Sequence, residues 1–175
     1  MVRTKPNKTT TGHVLTMAGT LMAPEVFFSV CYGDDWPPKA IRDLHTFTPA
    51  ILNGYCRHRV QLADYPAVVP QEGHSVRGVY ATGLTDANMQ KLDYFEGDEY
   101  ERVKATVQLL EKKGDDQAVS ETKETFVYAF LFPECLERRE WDFEEFRRDK
   151  MKMWTRNRLG YDDALDDREG ANGVL

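Results

Sequence analysis

Leu92-Asp93-Tyr94-Phe95-Glu96-Gly97-Asp98-Glu99-Tyr100-Glu101-Arg102 predicts the end of a helix, a turn and the start of a strand. Just before it, Thr85, Asp86 and Asn88 offer cap-type side chains after Gly83-Leu84, and Met89, Leu92 and Phe95 recur at helical spacing. Gly97 stands where a left-handed residue would close that helix. Tyr100, Arg102 and the alternating residues 103–107 then read as a strand. Glu96 falls in the last helical turn, where the macrodipole disfavours a negative charge, and desolvation there would raise the pKa of its carboxyl. Such a carboxyl suits a group that takes a proton and gives it back. By spacing alone, Glu96 reads as a solvated acid at a helix end, as most charged side chains are.

On the N-terminal side, His13-Val14-Leu15-Thr16-Met17-Ala18 is a short, mostly apolar strand expected in the middle of a sheet. It turns through Gly19-Thr20-Leu21-Met22 into a helix that starts near Pro24, with Val26, Phe27 and Val30 on its apolar face. A strand that turns sharply into a helix aims backbone N–H groups into one small space, which can hold a carboxylate or a developing oxyanion. Many such glycine turns bind nothing. Residues 34–39 read as a loop, and 45–62 as β-structure interrupted by Gly54, with Arg57 and Arg59 on a basic face expected to be a solvated sheet edge. Tyr65-Pro66-Ala67-Val68-Val69-Pro70 is a short strand, Glu72-Gly73 a turn and 76–81 the next strand, where Gly78 marks close approach by another backbone or a ligand.

Beyond the central stretch, residues 111–116 form a polar turn, which with the residues to 122 predicts a loose hairpin connection. Residues 124–132 are the most apolar strand, also expected to be central. From 142 to 159 the pattern is helical, with Phe143, Phe146, Met153 and Trp154 as its apolar set. The expected organisation is a disordered leader over 1–12, a domain over 13–133, a C-terminal helical extension over 134–160 and an acidic tail over 161–175. About six strands with two or three flanking helices predict an α+β fold, a small mixed barrel-like sheet.

With 175 residues, 41% hydrophobic and 30% charged, the chain fits one soluble globular domain with tails. A net charge of −6 argues against nucleic acid or an anionic membrane as partner, and no apolar run reaches the length of a membrane span. Residues 1–12 lack the apolar core of a secretory signal. Cys31, Cys56 and Cys135 lie far apart and outside any C-x-x-C pattern. They read as buried free thiols in a reducing, cytoplasmic compartment. His13, His45, His58 and His74 have no ligand spacing, so no metal is expected. A Cys–His nucleophile pair stays open, although no cysteine sits in a basic setting or at a helix N-terminus. Tyr80 and Tyr128, on apolar strands, read as core phenols.

Six pieces stand in a fixed order: Gly19-Thr20-Leu21-Met22 after an apolar strand, Asn53-Gly54-Tyr55-x-Arg57-x-Arg59, Tyr65-Pro66-Ala67-Val68-Val69-Pro70, Val76-Arg77-Gly78-Val79-Tyr80, Leu92-Asp93-x-Phe95-Glu96-Gly97-x-x-Tyr100-x-Arg102, and Val127-Tyr128. In these, residues 14–131 resemble the gamma-glutamylcyclotransferase-like superfamily, especially its plant avirulence-induced-gene branch. The resemblance implies a small mixed barrel, with Glu96 as catalytic acid/base. It also implies that Gly19, Thr20, Leu21, Met22 and Tyr128 bind a small-molecule substrate, with no cofactor, in a monomer or homodimer. The family loop commonly has tyrosine before the glycine, where this chain has Ala18, so the usual γ-glutamyl substrate is an open point. The implied reaction is intramolecular aminolysis: the α-amine of a γ-glutamyl group attacks its own side-chain carbonyl and releases an amine and 5-oxoproline. Ring closure needs little help with proximity, but it needs a base to free the amine and an acid to protonate the leaving nitrogen. Two other readings remain, a cyclase or isomerase of another metabolite using the same glutamate, and a non-catalytic small-molecule-binding module.

Overall fold

Long antiparallel strands, bent where glycines permit it, carry the architecture. A computed structural model describes residues 12–63 and 65–149. In chain order the elements are β1 (His13–Met17), α1 (Pro24–Tyr32), α2 (Lys39–Arg42), β2 (Thr46–Val60), β3 (Pro66–Leu84), α3 (Asp86–Glu96), β4 (Tyr100–Lys113), β5 (Asp116–Phe130), β6 (Leu136–Glu140) and α4 (Phe143–Asp149). The strands form one six-stranded sheet in the order β1-β3-β2-β4-β5, with β6 pairing antiparallel to the far half of β2. The expected α+β sheet with flanking helices is therefore what this chain forms.

Both strands expected to be central, β1 and β5, lie at opposite ends of the hydrogen-bonded order. Their apolar content has a different cause. The sheet curls until its ends face each other, and the Thr16 hydroxyl donates to Thr125 Oγ1 at 3.0 Å across the junction. Closure buries end strands that an open sheet would leave wet. Leu15 and Met17 of β1, and Val127 and Phe130 of β5, are all buried.

The break expected at Glu72-Gly73 is a bulge inside one continuous strand. Register jumps from Asn53↔Ser75 to Tyr55↔Pro70, so Gly54 alone faces residues 71–74, and Gly54 and Gly73 both take positive φ. The expected loose connection after β4 is a tight hairpin, because Lys113 pairs with Asp116 and leaves only Gly114-Asp115 in the turn. Residues 111–117 are exposed, so this two-stranded arm lacks the buried face that betrays a strand. For a similar reason the charged β6 was not expected. Cys31 and Cys56 are buried as expected, whereas Cys135 is exposed. Positions 1–11 of the leader, 150–159 of the expected helix and the acidic tail lie outside the described residues.

Helix α3 forms where its caps predict. The Asn88 N–H donates to Thr85 Oγ1 at 3.1 Å and the Thr85 N–H donates to Asn88 Oδ1 at 3.0 Å, a reciprocal capping box. At its other end the Gly97 N–H donates to the Asp93 carbonyl at 3.0 Å. Gly97 has φ 79° but ψ −168°, so it leaves the helix extended and aims the chain into β4 instead of adopting the left-handed helical state. Met89 and Leu92 pack with Phe27 and Cys31 of α1 and Leu15 of β1. The Lys91 ammonium donates to the Cys31 carbonyl at 2.9 Å and fastens α3 to α1. No helix among the described residues is long and apolar enough to cross a membrane.

Gly78 marks a close backbone approach, as expected: a Cβ there would lie 2.7 Å from the carbonyl oxygen of Met17. Since that atom is backbone in the neighbouring strand, Gly78→Ala is expected to cost about 1–3 kcal/mol of stability, as overpacking does. Urea denaturation would read this as a lower midpoint at unchanged slope; an unmoved midpoint would mean that β1 gives way freely.

Candidate active site

The turn leaving β1 and the end of α3 share one pocket of about 70 Å³, lined by Ala18, Gly19, Thr20, Leu21, Phe95, Glu96, Tyr128 and the residues around Tyr65, Glu99 and Tyr100. The turn is a single 3₁₀ stretch, Thr20–Met22, closed by the Met22 N–H donating to the Gly19 carbonyl at 3.1 Å and the Ala23 N–H donating to the Thr20 carbonyl at 3.2 Å. In such a turn the N–H groups of residues 19–21 precede the first internal bond, so the turn's own ladder does not use them. A Cβ on residue 19 would lie 3.1 Å from Pro66 Cγ, so glycine lets the turn lie against the start of β3. Glu96 is half-buried as the last residue of α3. Met22 does not line this pocket; it lines a separate groove with Arg57, Arg77 and Trp141.

Tyr128 stands on β5 and is 8% exposed. Its hydroxyl donates to Asp93 Oδ1 at 2.7 Å, and Asp93 lies just N-terminal to Glu96 on the same helix. The other Asp93 oxygen faces Arg102 Nη2 at 3.6 Å. Burial above all holds the Tyr128 phenol well above its ordinary range, followed by the hydrogen bond to Asp93 and the charges of Asp93 and Glu96, with Arg102 opposing. At neutral pH the phenol is therefore a fixed neutral donor to Asp93. Tyr128 is thus buried, as the core reading has it, and also forms part of the pocket wall. Two further phenols fix the rim: Tyr100 donates to the Pro66 carbonyl at 3.0 Å, and Tyr65 donates to Glu99 Oε2 at 3.3 Å.

The expected solvated basic face is corrected at Arg57, which is only 9% exposed. Its Nη1 donates to the Ala18 carbonyl at 2.9 Å and the Arg77 carbonyl at 3.3 Å, and lies 3.3 Å from Met22 Sδ. The face is covered because β6 pairs beside it and Trp141 follows, with the Trp141 N–H donating to the Arg57 carbonyl at 3.0 Å. Arg59, half-buried, donates from Nε to the Ala63 carbonyl at 2.9 Å. Arg57 is the residue that alternation alone misreads; its only trace in the sequence is membership of the Asn53–Arg59 piece.

None of the three cysteines lines the pocket. The Cys31 thiol is pushed up to about 12 by burial, with Lys91 opposing, which leaves it a poor nucleophile. His45 is buried against Phe27 and Phe47 and bonded to the Tyr32 hydroxyl at 2.5 Å, and burial lowers its pKa. Among the described residues no group of three or more His, Cys, Asp or Glu side chains could hold a metal ion.

A family model described as gamma-glutamyl cyclotransferase, AIG2-like, matches residues 19–148. AIG2-like protein B of Arabidopsis thaliana is 30% identical over 137 residues, covering 75% of this chain and 76% of the relative. Protein AIG2 C of the same plant is 35% identical over 99 residues, and there the match spans 57% of this chain and 56% of the relative. Among solved structures, a solution structure from Arabidopsis thaliana has a TM-score of 0.56 at 26% identity, covering 100% of this chain and 97% of that one. A gamma-glutamyl cyclotransferase has a TM-score of 0.55 at 11% identity, covering 94% and 93% of the two chains, a likeness of fold alone.

Because Tyr128 is buried and bonded to an acid, it should contribute no tyrosinate up to about pH 11, a unit above an ordinary phenol. Absorbance titrations of the wild type and Tyr128→Phe should then coincide through that range. A smaller absorbance rise in the variant would contradict the buried, Asp93-bound phenol.

Proposed function

This chain belongs to the gamma-glutamyl cyclotransferase, AIG2-like family, and on that premise we propose that its pocket cyclises a γ-glutamyl amine to 5-oxoproline, with Glu96 as acid and base. The observation that carries the reading is that Glu96 and the turn residues Gly19, Thr20 and Leu21 line one small pocket. The Glu96 carboxylate takes a proton from the substrate's α-ammonium, and the freed amine attacks the side-chain carbonyl carbon of the same γ-glutamyl group, closing a five-membered ring. Negative charge develops on the carbonyl oxygen, where the N–H groups of residues 19–21 are the donors at hand. As the tetrahedral centre collapses, the bond to the leaving nitrogen breaks, Glu96 returns its proton to that nitrogen and passes on the second proton of the attacking nitrogen in the same way, leaving a neutral lactam and the amine as its ammonium ion. Tyr128, kept neutral and anchored to Asp93, offers its oxygen as an acceptor in the pocket wall. This cycle consumes no external proton and returns the glutamate to its starting state.

A second reading rests on Ala18. It lines the pocket at the position where the family's tyrosine commonly stands, so one wall lacks a phenol. That favours a differently shaped small metabolite, cyclised or isomerised with Glu96 still carrying the proton.

Incubation with a panel of γ-glutamyl amines, with 5-oxoproline followed by mass spectrometry, separates the two. The first reading expects 5-oxoproline from at least one member, and a fall in kcat of about 10²–10⁴-fold in Glu96→Gln, the usual loss when a positioned proton carrier is removed. Unchanged turnover in a folded Glu96→Gln would take Glu96 out of the mechanism.

A further inference from the structure

We infer that Arg57 is a positioning residue for the glycine turn, held in its working orientation by the strap that β6 and Trp141 form behind it. For its kinetic consequence the inference rests on the cyclotransferase reading; for its structural consequence it does not. One nitrogen of the guanidinium, Nη1, reaches both ends of the turn, the Ala18 carbonyl at 2.9 Å and Met22 Sδ at 3.3 Å, while the Arg77 carbonyl at 3.3 Å ties it to β3. Arg57 does not line the pocket that holds Glu96, so it acts on the turn from outside.

The Ala18 carbonyl and the Gly19 N–H belong to the same peptide group. A cationic donor on that carbonyl fixes the plane of the peptide, and polarises it so that the N–H at its other end becomes a better donor. The Gly19 N–H is one of the three groups assigned above to the developing oxyanion. Arg57 therefore orients and sharpens a pocket donor without touching substrate. Its own position is set by the strap: the guanidinium carbon lies 5.0 Å from the centre of the Trp141 ring, and the Trp141 N–H donates to the Arg57 carbonyl at 3.0 Å. Trp141 is buried and packs on Phe146 of α4 with ring centres 5.5 Å apart. The strap thus ties the C-terminal segment to the turn. Lysine can replace this arrangement only in part, since an ammonium can donate to the Ala18 carbonyl but has no planar face to lay on the indole.

The test uses the full chain as wild type, Arg57→Lys, Arg57→Met and Trp141→Leu. Two readouts are taken, steady-state release of 5-oxoproline from a γ-glutamyl amine and the amide proton shift of Gly19. Arg57→Met is expected to lower kcat by about 10–100-fold with KM within about 3-fold, somewhat less than the loss of an oxyanion donor itself. Arg57→Lys should recover part of it, and Trp141→Leu should fall between. In all three the Gly19 amide proton should move upfield, as a weakened donor does. Variants with lowered thermal stability but unchanged kcat and an unmoved Gly19 amide would make Arg57 a packing residue and overturn the inference. Should Arg57→Met not fold, Arg57→Lys and Trp141→Leu carry the same comparison. Wild type that releases no 5-oxoproline sinks the cyclotransferase reading, while the Gly19 shift still decides the case of Arg57.

Discussion

Everything in the site depends on where the sheet closes. Strands β1 and β5 end the hydrogen-bonded order, and among the described residues they meet through side chains, Thr16 to Thr125, and not through a backbone ladder. Immediately after Thr16 and Met17, β1 must leave the sheet, and the turn it makes becomes one wall of the pocket. Immediately after Thr125, β5 contributes Val127 and Tyr128 to another. The pocket is therefore a by-product of closure: two strand ends that do not pair leave room between them, and the C-terminus of α3 reaches over that room with Glu96.

The polar groups around this gap are arranged in depth. Tyr128 is fixed by Asp93, Asp93 faces Arg102, and Tyr100 is fixed by the Pro66 carbonyl. A side chain whose own hydrogen bonds are already made loses little freedom when a ligand arrives, which is how a small pocket can orient a small molecule. Arg57 does the same for backbone. By gripping the Ala18 carbonyl it restrains a peptide of the pocket wall from outside the pocket.

Parts of this were readable in the sequence because local chemistry decides them. The capping residues Thr85 and Asn88 bond to each other's backbone whatever surrounds them, and Gly78 announced a neighbouring backbone that proved to be Met17. The match of six ordered pieces carried the fold, and with it the pairing of Glu96 with the glycine turn. Other parts depend on tertiary facts that no window of residues contains. Strands β1 and β5 look central by composition because closure buries them, and the arm around Gly114 looks like loop because neither face is buried. Arg57 alternates like an edge residue until β6 and Trp141, some eighty residues later, cover it. Met22 belongs to the family's glycine piece yet lines a different groove, because a 3₁₀ turn rotates its last residue away from its first.

The central claim is that Glu96 and the amides of residues 19–21 grip the same small molecule. Adding 5-oxoproline to isotope-labelled protein, and following the Glu96 carboxyl carbon together with the Gly19, Thr20 and Leu21 amides by NMR, asks this directly. The account predicts that all four signals shift along one saturating curve. A carboxyl that moves while the turn amides stay still, or no saturable shift in either, would contradict it.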